Sequence, residues 1–194
     1  MAKRIVIIQG HPDPAGGHLC HALAEAYAAG AREAGHGVDV VTVASLALPP
    51  LQTKAEFERP APPEVAAVQE MLAAADHLLL VFPLWLGGMP AVLKGALEQI
   101  LRPSFALLDP DSGWRGRRRL AGISARVVVT MGMPSLAYRW WFGAHGVRTL
   151  DRAVLGLVGI RPVRKTYLGG VEAAPEAKRA RWLAEMRALG RDAK

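Results

Sequence analysis

ADHLLLVFPLWLGGMPAVLKGALEQIL, from Ala75 to Leu101, decides how the rest of the chain is read. Leu78-Leu79-Leu80-Val81-Phe82 is short and apolar on both alternating faces, the pattern of a central parallel strand buried on two sides. The run stops at Pro83 and passes through Leu84-Trp85-Leu86-Gly87-Gly88. It restarts after Met89 with Pro90, which suits a first helical position because no N–H is needed there. Leu93, Ala96, Leu97 and Ile100 follow at helical spacing. A large apolar loop is therefore expected at the carboxyl end of a buried strand, where open α/β sheets bind ligands. The loop carries no acid, base or nucleophile. Its Pro, Trp, Leu and paired Gly suit a wall for a flat ring, with glycines that admit close backbone approach.

Upstream, Arg4 to Gln9 reads as a first buried strand with a β-branched run. It ends in the turn-rich Gly10-His11-Pro12-Asp13-Pro14-Ala15-Gly16-Gly17, and a helix follows with Leu19, Leu23, Ala26, Tyr27 and Gly30 on one face. A strand, a glycine-rich loop and a helix N-terminus together make a phosphate-binding geometry, with free amides and the positive helix end at the loop. The Gly-Lys-Ser/Thr ending of a P-loop and the dinucleotide G-x-G-x-x-G are both absent. Val38 to Ala44 is a second strand. Residues 45–63 are rich in Pro and Leu without a period and read as an excursion of the functional or mobile kind. A helix resumes near Glu64 with Val65, Val68, Leu72 and Ala75 inward.

Downstream, residues 102–122 form a long connection, and Ser124 to Val129 a fourth strand ending in Thr130-Met131-Gly132-Met133-Pro134. The aromatic segment Tyr138-Arg139-Trp140-Trp141-Phe142-Gly143-Ala144-His145-Gly146 follows. Trp140, Trp141 and Phe142 there would floor a substrate pocket or pack a core or dimer interface. Val147, Leu150, Val154, Leu157 and Val158 have helical spacing, Arg161 to Leu168 is a fifth strand, and Pro175 opens a last helix through Trp182, Met186 and Leu189. Alternating strands and helices with right-handed crossovers predict an α/β fold, a five-stranded parallel sheet of order 2-1-3-4-5 with helices on both faces. The loops after strands 1, 3 and 4 would then converge at one edge. Residues 1–194 read as one domain.

The chain has 194 residues, enough for one well-buried domain, and a formal charge of +7 from 24 Lys and Arg against 17 Asp and Glu. That field favours anions. Arg115, Arg117, Arg118 and Arg119 form the only dense cluster, read either as a solvated loop or as a clamp for a nucleotide phosphate. No zinc spacing or RNA-binding aromatic signature accompanies it, which argues against nucleic acid and a metal site. Cys20 is the single cysteine, so no intramolecular disulfide is expected. Near the helix start its thiol pKa would be lowered; as a small buried side chain it would be inert. No apolar run has spanning length and the first residues lead straight into a strand, so a cytoplasmic protein without membrane insertion is expected.

Phe82-Pro83-Leu84-Trp85, then Gly88-Met89-Pro90-Ala91-Val92-Leu93-Lys94-Gly95 and Phe105-Ala106, resemble the flavin loop of NAD(P)H:quinone reductases of flavodoxin-like fold. His11-Pro12, His18 and Leu19 are similar to that family's phosphate loop, with Gly17 where Ser is usual and Cys20 where Asn is usual. The resemblance implies a flavin held by His11, Gly17, His18 and Cys20 at the phosphate and by Pro83, Leu84, Trp85, Leu86 and Gly87 along the ring. Thr130, Met131, Gly132 and Met133 would form a second edge. It assigns His145 and Tyr138 as the catalytic pair that stabilises negative charge on the reduced ring. The implied reaction is hydride transfer from NAD(P)H through flavin to a quinone or similar small acceptor, in a homodimer with the site at the interface. FMN is expected over FAD, which stays possible, because little chain follows the fifth strand to hold an adenosine. Two relatives of this reading are a flavin-binding regulatory subunit of an ion-transport system and a flavodoxin-type electron carrier. Carriers of that type are acidic, whereas this chain is basic.

Overall fold

A computed structural model describes residues 1–108 and 116–194. Five parallel strands, β1 (Arg4–Gln9), β2 (Gly37–Thr42), β3 (His77–Pro83), β4 (Ser124–Met131) and β5 (Val163–Gly169), form a sheet in the expected order 2-1-3-4-5. Their alternation divides the core in two. Val6, Ile8, Leu78, Leu80, Val127 and Val129 point to one face. There they meet helices α3 (Pro63–Ala73) and α4 (Ala91–Ile100), and α6 (Ser135–Trp140) and α7 (His145–Thr149), the last continued by a π-type turn at Leu150–Leu155. Ile5, Ile7, Leu79, Val81 and Val128 point to the other face and pack under α1 (Leu19–Glu33) and α8 (Glu176–Arg191). Every residue of β3 except Pro83 is buried, which is why that strand is apolar on both faces.

Four local expectations are revised. Pro90 precedes α4 as its N-cap residue instead of opening it, a one-position shift that still leaves a residue without an N–H at the helix start. The apparently structureless 45–63 excursion contains a short helix, α2 (Lys54–Glu58), capped by Thr53 Oγ1 accepting from Glu56 N–H at 3.1 Å. It is pinned: the buried Arg102 guanidinium donates to the carbonyls of Glu56, Arg59 and Pro60 at 2.9–3.0 Å and to the Gln99 side chain. One side chain thus serves three carbonyls, one in the last turn of α2 and two just beyond it. The long connection after α4 likewise holds a single turn, α5 (Pro103–Ala106). The aromatic segment is a helix and a turn in which Trp140, Trp141 and Phe142 are exposed, so none of them packs the core.

Arg115 and Trp114 lie outside the described residues. Arg118 and Arg119 fasten backbone: Arg118 donates to Gly156 O at 3.5 Å, and Arg119 donates to Phe105 O at 2.7 Å with its guanidinium over the Phe105 ring. Arg118 and Arg119 thus act as latches for the 102–122 connection.

Candidate functional site

Sheet register sets the convergence. Gly10 N–H donates to Val81 O at 2.8 Å, Pro83 is in register with Thr130, and Leu84 N–H donates to Thr130 O at 2.7 Å. The loops that follow β1, β3 and β4 therefore leave the sheet side by side at its carboxyl edge.

The first loop is built around three imidazoles. His11 and His18 stack with ring centroids 3.9 Å apart and planes 17° apart, and His21 lies 5.2 Å from His11. His11 is buried, and its Nδ1 accepts from Asp13 N–H at 3.1 Å. Asp13 Oδ1 accepts from Ala15 N–H at 2.9 Å, and Oδ2 meets His18 Nε2 at 2.7 Å. Burial first, then the neighbouring His18, holds His11 and His21 below the ordinary histidine range. Beyond this cluster the backbone is open. Gly16 and Gly17 are both at φ +77°, with nothing within 4 Å of where a side chain would stand. Among the described residues, no acceptor takes the N–H groups of residues 16–20, and α1 has no side-chain cap. A row of unclaimed amides at the positive end of a 15-residue helix suits an anion.

Cys20 follows its inert reading and not its reactive one. Its thiol is buried and meets Thr130 Oγ1 at 3.2 Å, and burial pushes it up to about 11. Desolvation outweighs the helix terminus, so the side chain is a packing group that ties α1 to β4. The Thr130 hydroxyl is committed to the same contact.

The wall loop is a tight hairpin. Trp85 and Gly88 exchange both backbone hydrogen bonds, at 2.9 and 3.0 Å, with Leu86 at φ +47° and Gly87 at φ +81° between them. Two positive φ values in a two-residue loop are the signature of a type I′ turn. Leu86 holds this left-handed geometry with its side chain fully exposed, and Trp85 is half exposed. A leucine in that conformation costs about 1 kcal/mol, and an exposed apolar side chain there gains nothing from the fold. The N–H groups of Leu86 and Gly87 have no acceptor among the described residues.

The segment after β4 closes on this hairpin. Tyr138, on α6, is buried, and its hydroxyl donates to Gly87 O at 3.0 Å. Burial raises the Tyr138 pKa, against a backbone hydrogen bond from Val147 that lowers it. With those contacts the hydroxyl clamps the wall. Gly146, in the first turn of α7, lies so close that a Cβ there would stand 2.2 Å from Gly87 O. His145, the first residue of α7, is exposed beside that contact, its ring folded over Gly143. His145 caps no helix, since α7 follows Ala144 in a left-handed conformation at φ +49° without a side-chain cap. Met131 is buried, Gly132 and Met133 are exposed, and Met133 O accepts from Gly170 N–H at 3.1 Å.

The structure thus brings Pro83 to Gly87, Tyr138 and His145 together around the hairpin, and His11, Gly17 and His18 together at the α1 start. Sequence reasoning missed Gly146, Asp13 and His21. Gly146 stood inside the quoted aromatic segment, but nothing in a sequence marks a glycine whose missing Cβ makes room for a loop some sixty residues earlier. Among the described residues no group of His, Cys, Asp and Glu is arranged to hold a metal ion.

A doubly wound parallel sheet of order 2-1-3-4-5, with an open glycine loop and an apolar hairpin at its switch point, defines the class: a flavodoxin-like α/β protein. The chain belongs to the family described as flavodoxin-like fold, whose model matches residues 3–189. Among curated proteins it is 32% identical over 97 residues to an FMN-dependent NADH:quinone oxidoreductase of Ruegeria pomeroyi, covering 43% of this chain and 47% of that protein. It is 46% identical over 44 residues to NAD(P)H dehydrogenase [quinone] 1 of Rattus norvegicus, covering 23% of this chain and 16% of that protein. The match thus spans about half the length of the first relative and less of the second. Among solved structures, an NAD(P)H:quinone oxidoreductase from Methanothermobacter marburgensis superposes with TM-score 0.80 at 22% identity, covering 99% of this chain and 97% of the other. An FMN-dependent NADH-azoreductase from Bacillus anthracis, in complex with FMN, gives 0.74 at 15% identity over 100% of both chains. At those identities the two structures establish the shared fold.

Proposed function

We propose that the chain is an FMN-dependent NAD(P)H oxidoreductase acting on a quinone or similar small acceptor, its whole length one flavin-binding domain. One observation carries the reading: unclaimed backbone N–H groups from residues 16–20 and from Leu86 and Gly87 open at one sheet edge, beside the exposed ring of Trp85. An anion cradle next to a flat apolar wall fits a ring that bears a phosphate. FMN is favoured over FAD by the names of the Ruegeria pomeroyi and Bacillus anthracis relatives.

In this reading the amides from Gly17 to Cys20 hold the phosphate, with His11 and His18 stacked at its side. Cys20 contributes its N–H and not its thiol. Pro83, Leu84, Trp85, Leu86 and Gly87 line the ring, and the backbone of Met131, Gly132 and Met133 borders its far edge. When bound, the flavin supplies hydride chemistry between NAD(P)H and the acceptor. The protein positions, desolvates and offers charge. His145 is the side chain free to donate where negative charge builds. Tyr138, its hydroxyl engaged with Gly87 O, acts by holding the wall.

Leu136, Trp141 and Phe142 are exposed beside the site, more apolar surface than a lone protein usually leaves in one place. We read it as the seat of a second copy, which makes the protein a homodimer. No helix among the described residues is long and apolar enough to cross a membrane, and a cytoplasmic setting is proposed. Turnover of NAD(P)H without a partner protein distinguishes this enzyme from a flavin-binding regulatory subunit. The test of the cofactor is direct. FMN-reconstituted protein, desalted and denatured, is expected to release one FMN per chain; release of no flavin overturns the reading.

A further inference from the structure

A second cleft lies behind the aromatic segment. Ser135 and Arg139 stand one helical turn apart on α6, Arg148 follows on α7, and Lys165 and Tyr167 share one face of the edge strand β5. With Trp140 they line a cavity of about 530 Å³, within the size range of small-molecule sites. Arg139 lies over the Tyr167 ring, 5.7 Å from its centroid. Arg139 and Arg148 line this cavity with Tyr167, whose hydroxyl is pushed up by burial, Tyr138 and Asp151 and pulled back by the two guanidiniums. Lys165 is paired with Asp151, whereas Arg139 and Arg148 have no acidic partner among the described residues. Three cations against one carboxylate leave two positive charges facing an open cleft.

Two unpaired guanidiniums match a dianionic phosphate monoester better than a single carboxylate, because each can donate a forked pair of hydrogen bonds. The exposed Trp140 ring offers a flat surface for a base. The cleft also adjoins the ring wall: Tyr138 reaches Gly87 O from the same helix whose next residue, Arg139, faces the cleft. We propose that this cleft holds the 2′-phosphate of NADPH, with the adenine against Trp140, and so selects NADPH over NADH. The inference rests on the oxidoreductase reading and names the donor for that site.

The test uses FMN-reconstituted protein and three probes in isothermal titration: 2′,5′-ADP, 5′-AMP and inorganic phosphate. Expected is binding of 2′,5′-ADP at least tenfold tighter than the other two. Arg148→Ala is expected to weaken 2′,5′-ADP about tenfold, the loss of one charged hydrogen-bonding group, and 5′-AMP less than threefold. Arg181→Ala removes an equal charge from exposed α8, across the sheet, and is expected to shift none of the three. In turnover, Arg148→Ala is expected to raise the ratio of the KM for NADPH to that for NADH about tenfold. Equal binding of 2′,5′-ADP and 5′-AMP overturns the proposal. So does inorganic phosphate binding as tightly as 2′,5′-ADP, or Arg181→Ala matching Arg148→Ala. A protein that oxidises neither nucleotide yet discriminates 2′,5′-ADP would sink the enzyme reading and leave the phosphate site standing.

Discussion

Gly146→Ala probes the contact on which the ring wall depends. The added Cβ would stand 2.2 Å from Gly87 O and 2.8 Å from Gly88 Cα, where ordinary contact begins at 3.4 Å. One side must retreat by about 1 Å. Gly146 sits in the first turn of α7, and its neighbour Val147 is fully buried, so the helix is anchored. The hairpin is exposed and held by its own two hydrogen bonds and the Tyr138 clamp, so the hairpin moves. Overpacking of this kind costs about 1–3 kcal/mol. Losing the Tyr138 to Gly87 hydrogen bond, at 3.0 Å, accounts for about 1 kcal/mol of it. A wall displaced by about 1 Å should weaken FMN by roughly ten- to thirtyfold, or about 1.4–2 kcal/mol, with the sheet untouched. FMN titration into apoprotein, followed by quenching of flavin fluorescence, reads the affinity; thermal unfolding of the apoprotein reads the fold. Wild-type FMN affinity in a folded Gly146→Ala protein would refute the claim that the hairpin touches the cofactor.

Tyr138→Phe removes the clamp without a clash, and is expected to weaken FMN about threefold to tenfold by the same titration while slowing flavin reduction no more than that loosening explains. His145→Ala is expected to retain FMN and to slow its reduction by NAD(P)H tenfold or more in stopped flow, about 1.4 kcal/mol of barrier; a wild-type rate would remove His145 from the chemistry. His77 governs acid stability. Burial, with Lys3, Arg126 and Arg164 adding to it, pushes this histidine from 6.5 down to about 4, so protons favour the unfolded chain between those values. Stability should be fully present above about pH 6.5 and fall by on the order of 3 kcal/mol as pH drops towards 4. His11 and His21, also depressed, steepen the same slope. Urea midpoints at pH 7 and 4.5 check it: His77→Asn should flatten the difference, and an unchanged difference would count against the assignment.

The sheet was legible because burial writes itself into sequence. A strand covered on both faces, like Leu78 to Phe82, has no polar positions to offer, and the helices beside it repeat their apolar residues at the helical period. The order of the strands followed from crossover handedness. Features set by single long-range contacts were not legible. Arg102 looks like any loop arginine until the carbonyls of Glu56, Arg59 and Pro60 are seen around it. The hydrogen bond from the Tyr138 hydroxyl to a carbonyl of the wall loop had no mark in the sequence, because the two residues lie 51 positions apart. The thiol of Cys20 is the small buried side chain that one of its two readings expected; its contact with Thr130, 110 residues later, is what the sequence could not show. Arg139, Arg148 and Lys165 gave no signal as a group, since they come from three elements that only the edge strand brings together.

In the proposed function, a flavin held between the 16–20 amides and the Trp85–Gly88 hairpin relays reducing equivalents from NAD(P)H to a small acceptor. Anaerobic addition of NADPH to the FMN-reconstituted protein, watched at the flavin absorbance band and followed by a simple quinone, tests it in one cuvette. Rapid bleaching with one NADPH per flavin and full recovery of the band with one quinone are expected. A band that persists in excess NADPH and NADH alike would contradict that function.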